Sequence, residues 1–185
     1  MSGTDPLLEA SSICIGCGLC CDGNLHPHTI VEAGDEENVR NVGLSVVESR
    51  GERCFAQPCP KFSGRVCTVY DRRPNSCRRY RCKLLKNVEE GQVSAAEARS
   101  RIVTAKSLIA TACFDAAESA TAAGRAALAK ELHEKGSDVL EAAGRKRAAR
   151  MLLNLSAVDY VLERWFLFKK SDREGNLGAP SRERG

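Results

Sequence analysis

The sequence predicts a mainly α-helical protein, in which an irregular, cysteine-rich domain with little strand packs on a C-terminal helical bundle. Nine of the ten cysteines lie between residues 14 and 82, among glycines and prolines that favour turns. After residue 94, alanine is abundant and apolar residues recur at helical spacing, as expected of helices that share a small-residue core. The 185 residues suffice for one ordinary domain or two small ones.

These observations divide the chain into four segments. Residues 1–11 are predicted to be a flexible N-terminus, 12–86 a cysteine-rich domain, 87–170 a helical domain and 171–185 a disordered tail. The N-terminus lacks the basic and apolar regions of a secretory signal, and no stretch approaches 18 uncharged apolar residues. We therefore expect a cytoplasmic protein that does not enter a membrane.

Short strands are expected in the cysteine-rich segment at 28–33, ended by the polar residues 34–38, and at 42–49. Prolines then break the remainder of this segment into turns. In the helical segment, Ser94 and Glu97 form a capping-box signature at the start of the first helix. The predicted helices cover 94 to about 122 with a break at Gly124, then 125–135, then a third capped by Ser137 or Asp138, and a last one starting near Ser156 or Asp159.

The segment CIGCGLCCDG, residues 14–23, places four cysteines within eight positions. A C-x2-C pair lets one tight turn present two thiolates to one ion, and both zinc sites and iron–sulfur sites use this spacing. In a reducing compartment such clusters indicate metal or redox chemistry more than a disulfide framework. Because neighbouring side chains diverge, Cys20 and Cys21 are expected to serve different ions, different irons, or one ion and the core.

The cysteine pattern resembles the CxxCxxCC (YkgJ-type) family of zinc- or iron-chelating proteins, which often carry an Fe–S oxidoreductase label. A related cysteine module occurs in bacterial flagellin lysine methylases. The resemblance covers about residues 12–86 and implies eight metal ligands. The matching residues are Cys14, Cys17, Gly18, Cys20, Cys21, Cys59, Pro60, Phe62, Cys67, Tyr70, Arg73, Pro74, Cys77, Arg78 and Cys82. The ligands that the resemblance implies are the eight cysteines among them: Cys14, Cys17, Cys20, Cys21, Cys59, Cys67, Cys77 and Cys82.

Four further residues could in principle ligate a metal but have simpler interpretations. Cys54 lies outside the family pattern, and we expect it to be a small buried residue and not a ligand. Cys113 falls on the apolar stripe of the predicted first helix and is expected to pack in the core. His26 and His28 flank a proline near the first cluster, where solvated side chains are more common than ligands.

Charge is distributed unevenly along the cysteine-rich segment. Residues 1–52 carry a net charge of −7, whereas residues 53–86 carry +9 and five of the cysteines. A four-thiolate centre has a negative charge whose burial needs compensation, so Arg73 and Arg78 are candidates to contact its sulfur atoms. A solvated basic face and a nucleic-acid surface are the alternatives.

The sequence contains no recognised catalytic motif for nucleotide binding, zinc proteolysis or serine hydrolysis, and it names no catalytic residue. Whether the protein is an enzyme is therefore left open. The first hypothesis is an iron–sulfur protein, of the 4Fe–4S type, with a redox or accessory role. The alternative is a structural zinc module whose helical half binds a protein partner. Nucleic-acid binding through residues 53–86 is the third.

Overall fold

The computed structural model describes residues 6–49, 51–63, 66–112, 121–134 and 142–168. Within these ranges the chain forms seven α-helices, five short strands and one 3₁₀ turn, so the mainly α class is confirmed. In chain order they are α1 Pro6–Cys17, β1 His28–Ile30, α2 Glu36–Asn41, β2 Val47–Ser49, β3 Glu52–Ala56, β4 Phe62–Ser63, β5 Val66–Cys67, the 3₁₀ turn Tyr70–Arg72, α3 Asn75–Arg79, α4 Lys83–Glu89, α5 Ala95–Ala112, α6 Ala122–Glu134 and α7 Ala142–Trp165.

Helix α1 occupies a stretch for which the sequence predicted a flexible N-terminus over residues 1–11 followed by loops. It starts at Pro6, whose fixed φ suits the first turn of a helix. Its Ala10 and Ile13 side chains are buried, and the helix contacts α4 and α5. Serines and β-branched residues give this stretch a low helix propensity, so packing against α4 and α5 stabilises the helix.

Helix α5 carries the apolar stripe that the sequence predicted. Ile102, Ala105 and Ile109 are all buried, and the Glu97 N–H donates to Ser94 Oγ at 3.2 Å, as a capping box requires. The described helix ends at Ala112. The predicted core position of Cys113 lies outside the described residues, as do the cap at residue 137 or 138 and the tail 171–185.

The last two helices differ from the prediction in their boundaries. Gly124 lies inside α6 instead of before it, and α7 runs without interruption through Ser156 and Asp159. These two residues resemble helix caps, but both are exposed on one face of α7. The buried residues Leu155, Val158 and Leu162 recur around them at helical spacing, so packing of that face keeps the helix continuous.

The strands form two small antiparallel sheets. In the larger sheet β3 lies in the centre, with His28 opposite Ala56 on one side and Ser49 opposite Glu52 on the other. Strands β1 and β2 agree with the expected strands, whereas β3 was not predicted. Its two buried residues, Cys54 and Phe55, are consecutive, so the stretch lacks the alternation that identifies a half-buried strand.

Two hydrophobic cores organise the described residues. The first joins α1 and the turn after it to α4, α5 and α7, so the predicted division at residue 86 passes through helix α4 and through one continuous core. The second lies beneath the larger sheet and α2. The buried members of the second core are Val31, Val39, Val42, Leu44 and Phe55. Cysteines pack against both cores: Cys17, Cys20 and Cys82 against the first, and Cys59 and Cys77 against the second.

A search of the helices in the described ranges for a span that could cross a bilayer finds none that is both long and apolar enough.

Candidate metal centre

The first cysteine cluster lies at the C-terminal end of α1 and in the turn that follows. Cys14 and Cys17 are one turn apart on the helix, so their side chains share one face. The chain then reverses: the Asp22 N–H donates to the Gly18 carbonyl at 2.9 Å. Gly18 adopts a φ of 71°, which an L side chain rarely adopts. This reversal places the cysteine doublet beside the last turn of the helix.

The second group of cysteines is tied to the first by the backbone. The Cys59 N–H donates to the Cys21 carbonyl at 2.8 Å, which fixes the segment after β3 against the doublet. Cys67 lies on β5 directly opposite Phe62 of β4, and the Phe62 N–H donates to the Cys59 carbonyl at 2.9 Å. A short hairpin therefore brings Cys67 next to Cys59.

Two short helices position the remaining ligands. Cys77 lies in the middle of α3, and Cys82 is the N-cap residue of α4, where its Sγ accepts from the Leu85 N–H at 3.5 Å. The buried Asp35 anchors α3, because its Oδ2 accepts from the Asn75 N–H at 2.6 Å. In the sequence, Asp35 is one of the polar residues 34–38 that end the predicted strand. Only the fold shows that it holds the helix that carries a predicted ligand.

All eight predicted ligands line one of two contiguous cavities. The smaller, of about 50 Å³, is bounded by the end of α1, the doublet and the start of α4. The larger, of about 320 Å³, lies between the doublet, the two sheets and α3. The smaller cavity is lined by Cys14, Cys17, Cys20, Cys21 and Cys82, and the larger by Cys14, Cys20, Cys21, Cys59, Cys67 and Cys77.

Each of the nine described cysteines is a free thiol. Burial, with smaller contributions from neighbouring thiols, raises the pKa of Cys17, Cys21 and Cys77 to about 12. Burial likewise raises the pKa of Cys82 to about 11. Thiols in such surroundings lose their protons when a cation supplies the missing positive charge. The donor set therefore fits a thiophilic metal, and the buried sulfur atoms would hold it.

The thiols surround open space and do not touch one common point. Among the described residues, no three cysteine, histidine or acidic side chains are already grouped closely enough to hold a single ion. A zinc site needs four sulfur atoms about 2.3 Å from the metal. The six cysteines that line the larger cavity surround a space of about 320 Å³.

Arg73 and Arg78, the two candidates to contact the sulfur atoms, have different surroundings. Arg73 lines the larger cavity, stacks 3.8 Å from the centre of the Tyr70 ring, and has a buried Nε with no protein partner among the described residues. Its charge lies close enough to Cys77 to oppose the increase in pKa that burial causes there. Arg78 lines neither cavity; its Nε donates to the Arg73 carbonyl at 2.9 Å and so supports the segment that carries Arg73.

Replacing Arg73 by methionine is expected to weaken metal binding by about tenfold, the lower end of the range for groups that orient metal ligands. The change removes a positive charge that acts on Cys77 while keeping an unbranched, largely apolar side chain. The measurement is competition of each variant with a chromophoric chelator. Arg72→Met is the matched control, because Arg72 is exposed and lines neither cavity. Equal affinities for the two variants would contradict a role for Arg73.

The other candidate ligands are distributed around the larger cavity and the sheet. His26 and His28 both line the larger cavity, and His26 Nε2 lies 2.7 Å from the hydroxyl oxygen of Tyr80. His28 belongs to β1, not to a loop. Cys54 is 1% exposed within β3 and lines neither cavity, so its predicted burial is confirmed.

Ion pairs within the protein neutralise part of the charge difference between residues 1–52 and 53–86. Bases of the positive block pair with acids elsewhere, including Arg79 with Glu32 at 3.0 Å and Arg53 with Glu36 at 2.5 Å. Arg81 pairs with Glu89 at 2.7 Å. Acidic residues of the segment 1–52 thus neutralise part of the basic segment 53–86. The sequence alone does not show this pairing.

Gly18→Ala is expected to destabilise the site more than a substitution at an equivalent glycine. A Cβ at Gly18 would overlap the Phe62 ring, which lines the larger cavity, and the positive φ adds about 1–2 kcal/mol. Gly91→Ala is the control, since Gly91 has the same φ of 71° but no neighbour within 4 Å of the added atom. We expect Gly18→Ala to have the lower melting temperature and metal content. Indistinguishable variants would show that the Phe62 contact does not matter.

The fold and the thiols together define a class: a helical protein with a cysteine cluster suited to binding metal. Residues 13–104 match the family model CxxCxxCC, described as a "putative zinc- or iron-chelating domain". The chain belongs to this family, which confirms the resemblance seen in the cysteine pattern. The matched segment holds all eight predicted ligands and ends inside α5, so it includes helices that form the first core. Neither the curated proteins nor the solved structures include a significant match.

Proposed function

We propose that this metal-binding protein holds an iron–sulfur cluster, of the 4Fe–4S type, and serves in a redox or accessory role. The observation that carries the proposal is that eight family cysteines, from both ends of the segment 14–82, line two cavities that share three of them. Thiolates are the ligands of such clusters, and the larger cavity of about 320 Å³ exceeds what a single ion needs.

Two buried polar groups beside the larger cavity support this choice. Cluster potentials depend on hydrogen bonds to sulfur and on exposure to solvent. Arg73 Nε and Ser76 Oγ are buried polar atoms without a protein partner among the described residues, and both residues line the cavity. Both groups could donate to sulfur in the loaded protein.

A structural zinc module that binds a protein partner is the second candidate. It is supported by two exposed apolar residues on α7, Leu153 at 71% and Tyr160 at 68%, which lie seven residues apart and so share one face of the helix. Nucleic-acid binding is supported less, because Arg53, Arg79 and Arg81 of the basic block are paired with carboxylates.

Visible absorption and elemental analysis of the anaerobically purified chain distinguish the candidates. An iron–sulfur protein is expected to be brown, with broad absorbance near 400 nm that bleaches on reduction, and to contain iron and acid-labile sulfide. A colourless protein that contains zinc alone would overturn the iron–sulfur proposal in favour of the second candidate, because Zn²⁺ has no redox chemistry.

A further inference from the structure

The two cavities share three cysteines but differ in the others. Cys17 and Cys82 line only the smaller cavity, whereas Cys59, Cys67 and Cys77 line only the larger one. The cysteines that line both are Cys14, Cys20 and Cys21. Position alone therefore assigns five of the eight predicted ligands, each to one of the two cavities.

The hydrophobic cores divide the cysteines in the same way. Cys17, Cys20 and Cys82 pack against the first core, which α1, α4, α5 and α7 form. Cys59 and Cys77 pack against the second core, beneath the larger sheet. Since the two cores are separate sets of residues, the thiols are held by two different parts of the fold.

The doublet is the point at which the two groups meet. Cys20 packs on the first core, while the Cys21 carbonyl accepts the hydrogen bond from Cys59 that anchors the second group. The first core therefore holds Cys20, whereas the second group is anchored at the backbone of Cys21.

Cys14 belongs with the first group. It lies one helical turn before Cys17, on the same face of α1, and the second group already has four thiols without it. It is the exposed member of the eight, whereas the other seven are partly buried.

We propose that the protein holds two separate metal centres of four thiolates each, joined through the peptide bond of the cysteine doublet. The first is ligated by Cys14, Cys17, Cys20 and Cys82, and the second by Cys21, Cys59, Cys67 and Cys77. This assignment rests on the proposed metal-binding function and holds for either iron–sulfur clusters or zinc, since both close with four cysteine ligands.

The test measures iron, zinc and sulfide per chain in the anaerobically purified full-length protein and in four variants. Cys17→Ser and Cys77→Ser each remove a ligand of one centre, the double variant removes one from both, and Cys54→Ala is the control. We expect each single variant to keep about half of the wild-type metal, the double variant to keep almost none, and the control to keep all of it.

The outcomes separate this assignment from the proposed function. Wild-type protein without iron or zinc would refute metal binding itself. Metal-containing wild type in which both single variants lose all metal would refute two centres and leave metal binding intact.

A second measurement, made on the wild-type chain, tests the assignment even if the variants do not fold. Stepwise removal of metal by a chelator, with alkylation and mass mapping at each step, is expected to expose the cysteines in two sets of four. Cys20 should become reactive together with Cys17, and Cys21 together with Cys77. Exposure of all eight in one step, or of Cys20 with Cys21 in one set, would overturn the assignment.

Discussion

Removing the metal from the full-length chain is expected to lower its melting temperature by about 10–20 °C. In sites whose ligands come together only on folding, the free energy of ligation contributes to the free energy of folding, about 10–16 kcal/mol for structural zinc peptides. A loss of about 5 kcal/mol suffices for the stated shift in a chain of this size. The expected loss in the free energy of unfolding is smaller than in zinc peptides, because two hydrophobic cores still stabilise the protein without metal.

The measurement is thermal unfolding by circular dichroism, before and after chelation under reducing conditions. The control is the stripped protein reloaded with metal, whose melting temperature should return to the original value. Because the cysteines pack on both cores, we expect the whole unfolding transition to move to lower temperature when the metal is removed. A stripped protein that melts at the temperature of the loaded protein would mean that the thiols do not stabilise the fold by binding metal.

Arg125→Met is expected to destabilise the protein by about 2–4 kcal/mol, because it leaves buried acceptors without a donor. Arg125 is 3% exposed on α6, and its guanidinium donates to Asn24 Oδ1 at 2.8 Å and to the Asn24 carbonyl at 3.0 Å. Asn24 directly follows the turn of the cysteine doublet and is itself 5% exposed. The arginine therefore fastens the helical half to the turn that carries Cys20 and Cys21.

The control for this variant is Asp159→Asn. Arg125 Nε also donates to Asp159 Oδ1 at 3.1 Å, but the Asp159 side chain is 55% exposed, so losing this ion pair should cost less than about 1 kcal/mol. Urea unfolding compares the two variants, and metal analysis shows whether the turn still holds its ligands. If Arg125→Met were as stable as Asp159→Asn, the buried hydrogen bonds to Asn24 would not be what fastens α6 to the turn.

Local patterns predicted the helical half best. The stripe of Ile102, Ala105 and Ile109 has the helical period, and Ser94 provides a cap, so α5 follows from its own sequence. The break expected at Ser156 did not form, because residues with cap-like side chains lie on the exposed face of α7. A cap signature marks an end only where the apolar period also stops.

The cysteine-rich half depended on contacts distant in sequence. Helix α1 forms against α4 and α5, and Asp35 holds α3 by a hydrogen bond across 40 positions of the chain. Neither contact leaves a local pattern in the sequence. The spacing and the family resemblance singled out the eight cysteines as predicted ligands, whereas only the fold shows which cavity each of them lines.

The distribution of charge is another feature whose role depends on contacts distant in sequence. The sequence shows a net charge of −7 before residue 53 and +9 over the next 34 residues. Each block alone resembles a surface for an external partner. In the fold, Glu32 meets Arg79 and Glu36 meets Arg53, so part of each block serves the other.

The most direct test of the account is alkylation of native protein, purified without exposure to oxygen, combined with elemental analysis of the same sample. The account predicts iron or zinc in the sample and protection of the eight cysteines that line the two cavities until the metal is removed. A sample free of iron and zinc, in which these eight thiols react at once, would contradict it.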